Sequence, residues 1–343
     1  MSASSLLRLS STHAIARNIF SPSSHFHSRH RYHTQRTRSS TMSAKKTNES
    51  TSPATDLRKL KILMLHGYTQ SGPHFRSKTR ALEKALSKAF PPPPRTPHKP
   101  LPGSLPQFPG GVQLIYPTGP IKLRPADIPG FDASALQSAA SEGGKGEEPD
   151  AWAWWKKSDA PDGLYEGLEE GLETVRQTIE EAGGVDGVIG FSQGAALAGL
   201  VASLLEPGRA SAFPSSSAAP SFQFPPSWTT LIAALPQPQL KFAVSYSGFY
   251  APHAAYAPFY EPKIATRFLH VIGSLDSVVQ EERSEGFVER CADREGVLHP
   301  GGHFVPVGKD FAGVLVGFLR DVLSKQKREG SEDERLEDTN VPL

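Results

Sequence analysis

A serine in the sequence Gly-Phe-Ser-Gln-Gly lies between a short apolar run and an alanine-rich segment. The apolar run, residues 185–191, has the length of a buried strand, and the pattern of residues 193–205 predicts a helix. Between a strand and a helix, a G-x-S-x-G serine lies in a tight turn that exposes its hydroxyl. Gly190 and Gly194 suit such a turn because they let the neighbouring backbone pass without a Cβ collision. The pattern predicts Ser192 as a nucleophile in acyl transfer.

A serine hydroxyl is a poor nucleophile until a histidine removes its proton and an acid holds that histidine in one tautomer. Where a serine follows a strand in this way, the acid and the histidine come later in the chain, each in a loop after a strand. Asp276 follows the apolar run 266–273, and His303 follows the short run 296–300. We therefore expect Ser192, Asp276 and His303 to form a catalytic triad.

Three other residues fit these two roles less well. His270 lies inside a predicted strand, from which it cannot easily reach a serine in a loop. His299 lies at a strand end before a proline, where packing is the better interpretation. Asp293 lies at the end of a predicted helix, away from any strand exit.

Acyl transfer also places negative charge on the carbonyl oxygen, and preset backbone N–H groups must stabilise it. One expected donor is the amide of Gln193, the residue after the nucleophile, and the other should lie in the loop after the first strand. That loop, residues 66–72, reads HGYTQSG. Tyr68 is the expected second donor, and Gly67 before it permits a close approach.

These residues lie in a chain that alternates apolar runs with helical patterns. The predicted strands are residues 60–67, 111–117, 185–191, 240–248, 266–273 and 296–300. The predicted helices are residues 77–90, 164–182, 193–205, 281–291 and 311–325. Because the strands are apolar on both faces, they predict an α/β fold with a mostly parallel sheet and helices on both faces.

The predicted α/β domain spans residues 59–325, with a leader before it and a charged tail after it. The leader, residues 1–58, and the tail, residues 326–343, are predicted to be disordered. Stretches rich in Pro, Ser, Gly or Ala interrupt the domain near residues 91–110, 133–149 and 206–239. They show no sustained period, which predicts disordered surface inserts.

The leader has two interpretations: it carries a targeting signal, or its first 41 residues precede the start of translation at Met42. Its first 48 residues contain no Asp or Glu and scatter arginine among serine, which is typical of an organelle transit peptide. If residues 1–41 are translated, we expect a mitochondrial protein. If translation starts at Met42, we expect a cytoplasmic protein, and we favour this start. Nucleic-acid binding by the Arg-rich segment is a further alternative.

The composition excludes several classes of protein. The 37 Lys and Arg residues against 35 Asp and Glu give a net charge of +2, which offers no bulk basic field for nucleic acid. The longest apolar stretches are far shorter than the roughly 20 residues that span a bilayer, so we expect no membrane association. The single cysteine, Cys291, excludes an internal disulfide and a cysteine-based zinc site. We expect no metal and no cofactor.

Four sequence blocks between about Lys61 and Phe318 resemble a known family when taken together. They are LMLHGYTQSG, YEGLEEGLETVRQTIEEAGGVDGVIGFSQGAALAGL, LHVIGSLDSVV and HPGGHFVP. They resemble the fungal family of serine hydrolases, which includes ovarian-tumour-suppressor-candidate-2-like proteins and small thioesterases of polyketide pathways. The resemblance implies a compact α/β-hydrolase fold with little or no lid. It also assigns Ser192, Asp276 and His303 the roles of nucleophile, acid and base.

The chain departs from the family pattern at Gln280, where a proline is common, and in the long 206–239 insert. It shares a Trp-rich segment that leads to the helix before the nucleophile strand. Trp154 and Trp155 in that segment either line an acyl pocket, since indoles offer apolar area, or pack in the core. We name both as candidate substrate-binding residues.

The expected activity is cofactor-free hydrolysis of a carboxylic ester or thioester of a short to medium acyl chain, through an acyl-enzyme intermediate. One alternative is a thioesterase that releases a product from an acyl carrier protein, which would be a protein partner. Another is a hydrolase fold that binds without catalysis. Such proteins usually lose a triad residue, and all three candidates are present here.

Overall fold

The structure is a computed structural model that describes residues 57–93, 102–130, 149–157, 164–214 and 222–337, with side chains as far as residue 324. All of them belong to the unit that spans Thr55–Leu343. The predicted leader up to residue 56, residues 133–148 of the second insert and the end of the charged tail lie outside the described residues.

The described residues form a central sheet and two small two-stranded ribbons. The strands are β1 (Leu60–Leu65), β2 (Val112–Ile115), β3 (Ile121–Lys122), β4 (Trp152–Ala153), β5 (Lys156–Lys157), β6 (Tyr165–Glu166), β7 (Gly187–Phe191), β8 (Phe242–Tyr246), β9 (Phe268–Gly273) and β10 (Arg294–His299). The central sheet has the order β2-β1-β7-β8-β9-β10, and every neighbouring pair is parallel. The prediction of a mostly parallel sheet is confirmed.

Helices cover both faces of this sheet. They are α1 (Gly72–Ala89), α2 (Leu168–Glu181), α3 (Gln193–Leu204), α4 (Pro226–Ala234), α5 (Glu281–Val288) and α6 (Lys309–Glu337). On one face, α1 and α6 pack against alternate residues of β1 such as Ile62. On the other face, Leu63 and Leu65 belong to one core cluster with buried side chains of α2, α3 and α4. Strands β7, β8 and β9 are buried along their whole length, as expected of parallel strands between two helical layers.

The chain reverses its direction across the sheet at β1, because β2 lies on one side of β1 and β7 on the other. In open parallel sheets, ligands bind outside the carboxyl ends of the strands at such a switch point. The carboxyl end of β1 leads into the loop with Tyr68, and that of β7 leads into Ser192. The topology therefore places the predicted nucleophile and the predicted oxyanion loop side by side.

The third predicted insert is not a surface loop throughout. Its described part contains helix α4, and Phe213, Trp228 and Leu231 in it are buried in the core. Phe213 lies edge-on to Phe224 and to Phe259, with ring centroids 5.3 and 4.9 Å apart. The Pro- and Ser-rich composition of the stretch predicted a surface loop. A few large aromatic side chains nevertheless anchor it, because each buries about 150–250 Å².

Two smaller predictions also differ from the structure. Phe108 in the first insert is buried against the core, and the Arg58 guanidinium lies 5.0 Å from its ring centroid. Helix α6 continues past the predicted end at Lys325, so residues 326–337 are helical where disorder was expected. That stretch is rich in Lys, Arg, Gln and Glu, which extend an existing helix readily.

Among the described residues, we find no helix with the length and apolar character that crossing a bilayer requires.

Candidate active site

Ser192 lies in a strained turn between β7 and α3. Its backbone has φ 53° and ψ −116°, a conformation that L residues rarely adopt. The turn is compact because Gly190 and Gly194 flank it. A Cβ on Gly190 would lie 2.2 Å from the carbonyl oxygen of Gly194, and one on Gly194 would lie 2.2 Å from that of Leu65. Both glycines are therefore required by close backbone contacts.

The structure joins the three residues of the predicted triad in one chain of hydrogen bonds. His303 Nε2 lies 2.9 Å from Ser192 Oγ, and His303 Nδ1 lies 2.8 Å from Asp276 Oδ2. The other carboxylate oxygen accepts hydrogen bonds from the Val278 and Val279 amides, both at 2.9 Å. With Nδ1–H donating to the carboxylate, Nε2 is free to accept the serine proton. This is the arrangement that a general base requires.

Asp276 is held in its ionised form. Burial alone would raise the pKa of its carboxyl, but the hydrogen bonds from the Val279 amide and from His303 outweigh burial and lower the pKa. A carboxylate that stays charged fixes the His303 tautomer and stabilises the imidazolium formed when the base takes a proton. The His303 ring also packs on Phe191, with ring centroids 4.9 Å apart.

The two other histidines considered for the base lie elsewhere. His270 is buried in β9 between Phe268 and Phe287, and burial lowers its pKa to about 3. His299 ends β10 and packs edge-on against Phe304, with ring centroids 5.1 Å apart. Neither has a described hydrogen bond to Ser192.

The expected oxyanion donors, Tyr68 and Gln193, line the same cavity as Ser192. Among the described residues, nothing accepts a hydrogen bond from the Tyr68 amide. Two hydrogen bonds shape its loop: Thr69 N donates to the Trp152 carbonyl at 3.0 Å, and Gly67 N donates to Gln70 Oε1 at 3.2 Å.

A buried network links the nucleophile turn to that loop, and the sequence did not predict it. Gln193 Oε1 accepts from the Trp154 amide at 2.9 Å, and Gln193 Nε2 donates to the Trp155 carbonyl at 2.8 Å. The Trp154 indole N–H then donates to the His66 carbonyl at 2.9 Å. The only sequence signal was a polar side chain on an otherwise apolar, small-residue helix start.

His66 continues this network as a neutral imidazole. Burial lowers its pKa to about 4. Its Nδ1 lies 2.8 Å from the Gly67 carbonyl, and its Nε2 accepts a hydrogen bond from the Gly119 amide at 2.9 Å. The His66 ring therefore contacts the backbone just before Tyr68 and the backbone at Gly119, between β2 and β3.

The cavity outside Ser192 has a volume of about 810 Å³. Trp155 lines it and stacks on Tyr165, with ring centroids 5.0 Å apart. Trp154 does not line it: the indole is fully buried and packs on His66 with centroids 4.8 Å apart. Of the two tryptophans, Trp155 therefore lines the cavity and Trp154 packs in the core.

In the described part of the chain, we find no cluster of three or more His, Cys, Asp or Glu side chains that could hold a metal ion.

Comparison with known proteins decides the family. A family model described as "Serine hydrolase (FSH1)" matches residues 54–314, which include Ser192, Asp276 and His303. The chain belongs to this serine hydrolase family. Membership and the six-stranded parallel sheet together confirm the α/β-hydrolase fold expected from the sequence.

Several curated relatives of this family member are known by name. "Family of serine hydrolases 2" of Saccharomyces cerevisiae is 29% identical over 264 residues, covering 76% of this chain and 98% of that protein. "Esterase OVCA2" of Danio rerio is 29% identical over 272 residues, with 76% and 96% covered. "Dihydrofolate reductase" of Schizosaccharomyces pombe is 33% identical over 247 residues, which is 72% of this chain but only 44% of that longer protein.

Solved structures show more distant similarity to this serine hydrolase. Zea mays acyl-protein thioesterase 2 is 18% identical with a TM-score of 0.41, over 78% of this chain and 96% of that one. Esterase PE8 is 18% identical with a TM-score of 0.44, over 79% and 96% of the two chains.

Proposed function

We propose that this serine hydrolase cleaves carboxylic esters or thioesters of short to medium acyl chains. In this proposal, Ser192 is the nucleophile, His303 the general base and Asp276 the acid. The observation that carries it is the hydrogen-bonded chain from Ser192 Oγ through the His303 ring to the Asp276 carboxylate.

The reaction proceeds in two half-reactions. His303 Nε2 takes the hydroxyl proton as Ser192 Oγ attacks the carbonyl carbon, and the backbone amides of Tyr68 and Gln193 stabilise the resulting oxyanion. His303 then donates its proton to the leaving alkoxide or thiolate, which leaves an acyl-enzyme. Water attacks the acyl group by the same route, releases the acid and regenerates the Ser192 hydroxyl.

An acyl substrate is supported by the character of the cavity. Trp155, Phe249 and Val279 line it together with Ser192, so an acyl chain attached to the nucleophile meets apolar side chains. The name of the Danio rerio relative, an esterase, agrees with this substrate class. The volume of about 810 Å³ leaves room for a short to medium chain.

A fluorophosphonate probe tests the nucleophile, because it phosphonylates only a serine activated by its base. We expect stoichiometric labelling of the wild type, with the added mass on the peptide that contains Ser192. Labelling should be absent in Ser192→Ala and retained in Ser211→Ala, a matched change of an exposed serine. A folded wild type that resists the probe would favour the alternative of a binding protein without catalysis.

We also propose that the protein translated from Met42 is cytoplasmic, and that a form containing residues 1–41 is mitochondrial. Replacement of Met42 by Leu in a protein tagged at its C-terminus tests this. Loss of the protein supports the start at Met42, and an undiminished mitochondrial signal contradicts it.

A further inference from the structure

The cavity at Ser192 has a charged end whose groups the proposed chemistry does not use. Among its lining residues are four cations, Arg124, Lys156, Lys157 and Arg283, and two carboxylates, Asp127 and Glu166. The excess of positive charge stands out because the whole chain has a net charge of only +2. An excess of one sign inside a cleft attracts ligands of the opposite sign.

Asp127 forms ion pairs with two of these cations. Its Oδ2 lies 3.1 Å from Arg124 Nε and 2.8 Å from Lys156 Nζ, and its Oδ1 lies 3.1 Å from Arg124 Nη2. The hydrogen bonds from Arg124 and Lys156 hold the pKa of the Asp127 carboxyl well below its usual range. Arg124 and Lys156 are therefore committed to a partner within the protein.

Arg283 has no such partner. It lies in the first turn of α5, and no carboxylate of the described residues lies within ion-pair distance of its guanidinium. Its Cζ lies 4.4 Å from the ring centroid of Phe249, another lining residue. The adjacent Glu281 and Glu282 do not line the cavity, and successive helical residues point in different directions.

Arg283 is exposed, and the contact with Phe249 favours a position of the guanidinium beside this lining residue. A cation over an aromatic face is attracted by the ring and loses part of its hydration. An arginine held in this way presents planar N–H donors in a geometry that matches carboxylate or phosphate oxygens. Lys157 lines the same cavity and adds a second positive charge.

We infer that the Arg283 end of the cavity binds an anionic group of the substrate, a carboxylate or a phosphate, while the scissile carbonyl lies at Ser192. The inference rests on the proposed function, since it assigns the class of ester or thioester that the site takes. A substrate with an apolar stretch and an anionic end fits the two kinds of side chain that line the cavity.

Two substrate pairs test the inference and distinguish the position of the anion. The first pair, phenyl hexanoate and the phenyl half-ester of adipic acid, differs by a carboxylate at the end of the acyl chain. The second pair, S-butyryl-N-acetylcysteamine and butyryl-coenzyme A, differs by the phosphate-bearing part of the leaving group. For each pair, the ratio of kcat/KM for the charged to the neutral member is measured at low and high salt.

In at least one pair, we expect the wild type to favour the charged member about tenfold at low salt, and less at high salt because ions screen the interaction. Arg283→Met should reduce this ratio to near one, and Arg283→Lys should restore part of it by returning the charge. Arg80→Met, which removes an exposed arginine of α1 outside this cavity, should leave the ratio unchanged.

Ratios near one in both pairs for the wild type overturn the inference, as does an Arg283→Met ratio equal to that of the wild type. Binding provides an independent readout. Calorimetry should show that Ser192→Ala binds the adipate half-ester or butyryl-coenzyme A, and that the double variant with Arg283→Met binds it about tenfold more weakly. If neutral and charged substrates are both left intact by the wild type, the proposed function fails, whereas the binding difference still decides the anionic subsite.

Discussion

Gln193 brackets the backbone of Trp154 with its side-chain amide. Its Oε1 accepts a hydrogen bond from the Trp154 N–H at 2.9 Å, while its Nε2 donates to the carbonyl of the following residue, Trp155, at 2.8 Å. Because Gln193 directly follows Ser192, one residue connects the nucleophile turn to the wall of the cavity. The indole of Trp154 extends the connection to the His66 carbonyl at 2.9 Å. This buried network therefore joins Gln193, the residue of one expected oxyanion donor, to the backbone two residues before Tyr68, the other.

Replacement of Gln193 by Ala should damage this network while leaving the backbone amide of residue 193 in place. The change leaves the buried N–H of Trp154 and C=O of Trp155 without partners, at a cost of about 1–3 kcal/mol for each group. We expect the free energy of unfolding to fall by the sum of these two costs, about 2–6 kcal/mol, and kcat to fall more than KM changes. Urea unfolding and steady-state kinetics with a p-nitrophenyl ester measure the two effects.

Gln177→Ala is the matched control, because this glutamine of α2 is exposed and its amide donates to Glu173 Oε1, at 3.1 Å, on the same helix. Its stability and kcat should remain near the wild-type values. If Gln193→Ala behaves in the same way as Gln177→Ala, the side chain of Gln193 does not position the site.

Removal of any member of the proposed triad should abolish turnover without unfolding the protein. Ser192→Ala and His303→Ala should lower kcat by a factor of order 10³ or more, and Asp276→Asn by about 10⁴ because the wrong histidine tautomer is then favoured. Circular dichroism checks the fold of each variant, and His74→Ala, on the exposed start of α1, serves as the control. Wild-type rates in a folded His303→Ala would refute the assignment of the base.

The residues of the proposed triad could be found from the sequence because each comes soon after a short predicted strand. Ser192, Asp276 and His303 come after β7, β9 and β10, and the carboxyl ends of parallel strands lie at one edge of a sheet. Strand length and apolar content are local properties, so the pattern of the chain was enough to place the strands.

The surroundings of the site could not be found in this way, because they depend on contacts between distant parts of the chain. Gln193 meets Trp154 across 39 residues, and no local period indicates which tryptophan turns into the core. The ribbon strands, β3 to β6, have two residues each, too few to show a period. Arg283 meets Phe249 because the start of α5 contacts the loop after β8, where Ser284 Oγ donates to the Gly248 carbonyl at 2.9 Å.

The neutral state of His66 should make the protein less stable in mild acid. The pKa of His66 is about 4 in the folded protein, against 6.5 for the unfolded chain. Between these values the unfolded chain binds a proton that the folded protein does not, so stability is full above pH 6.5 and falls as the pH falls. From pH 7 to pH 5, His66 should account for a loss of about 2 kcal/mol. Urea unfolding at the two pH values measures it.

The other buried histidines also lower stability in mild acid. The contribution of His66 is isolated when the loss of stability between pH 7 and pH 5 is compared in a His66 variant and in the wild type. His66→Asn should be less stable at pH 7, because it loses packing and hydrogen bonds, but its loss between pH 7 and pH 5 should be smaller than that of the wild type by about 2 kcal/mol. His74→Asn, a change of an exposed histidine, should keep the full loss. Equal losses in His66→Asn and the wild type would contradict the role given to His66.

Phe213 tests whether the third insert is part of the core. The composition of this insert predicts a disordered surface segment, but Phe213 is only 5% exposed and packs against Phe224 and Phe259. Because Phe213→Ala empties a buried aromatic site, we expect the free energy of unfolding to fall by about 3–5 kcal/mol. Thr229→Ala, on the exposed side of α4, should change it by less than about 0.5 kcal/mol. Chemical denaturation that gives equally small changes for both variants would restore the surface-loop interpretation.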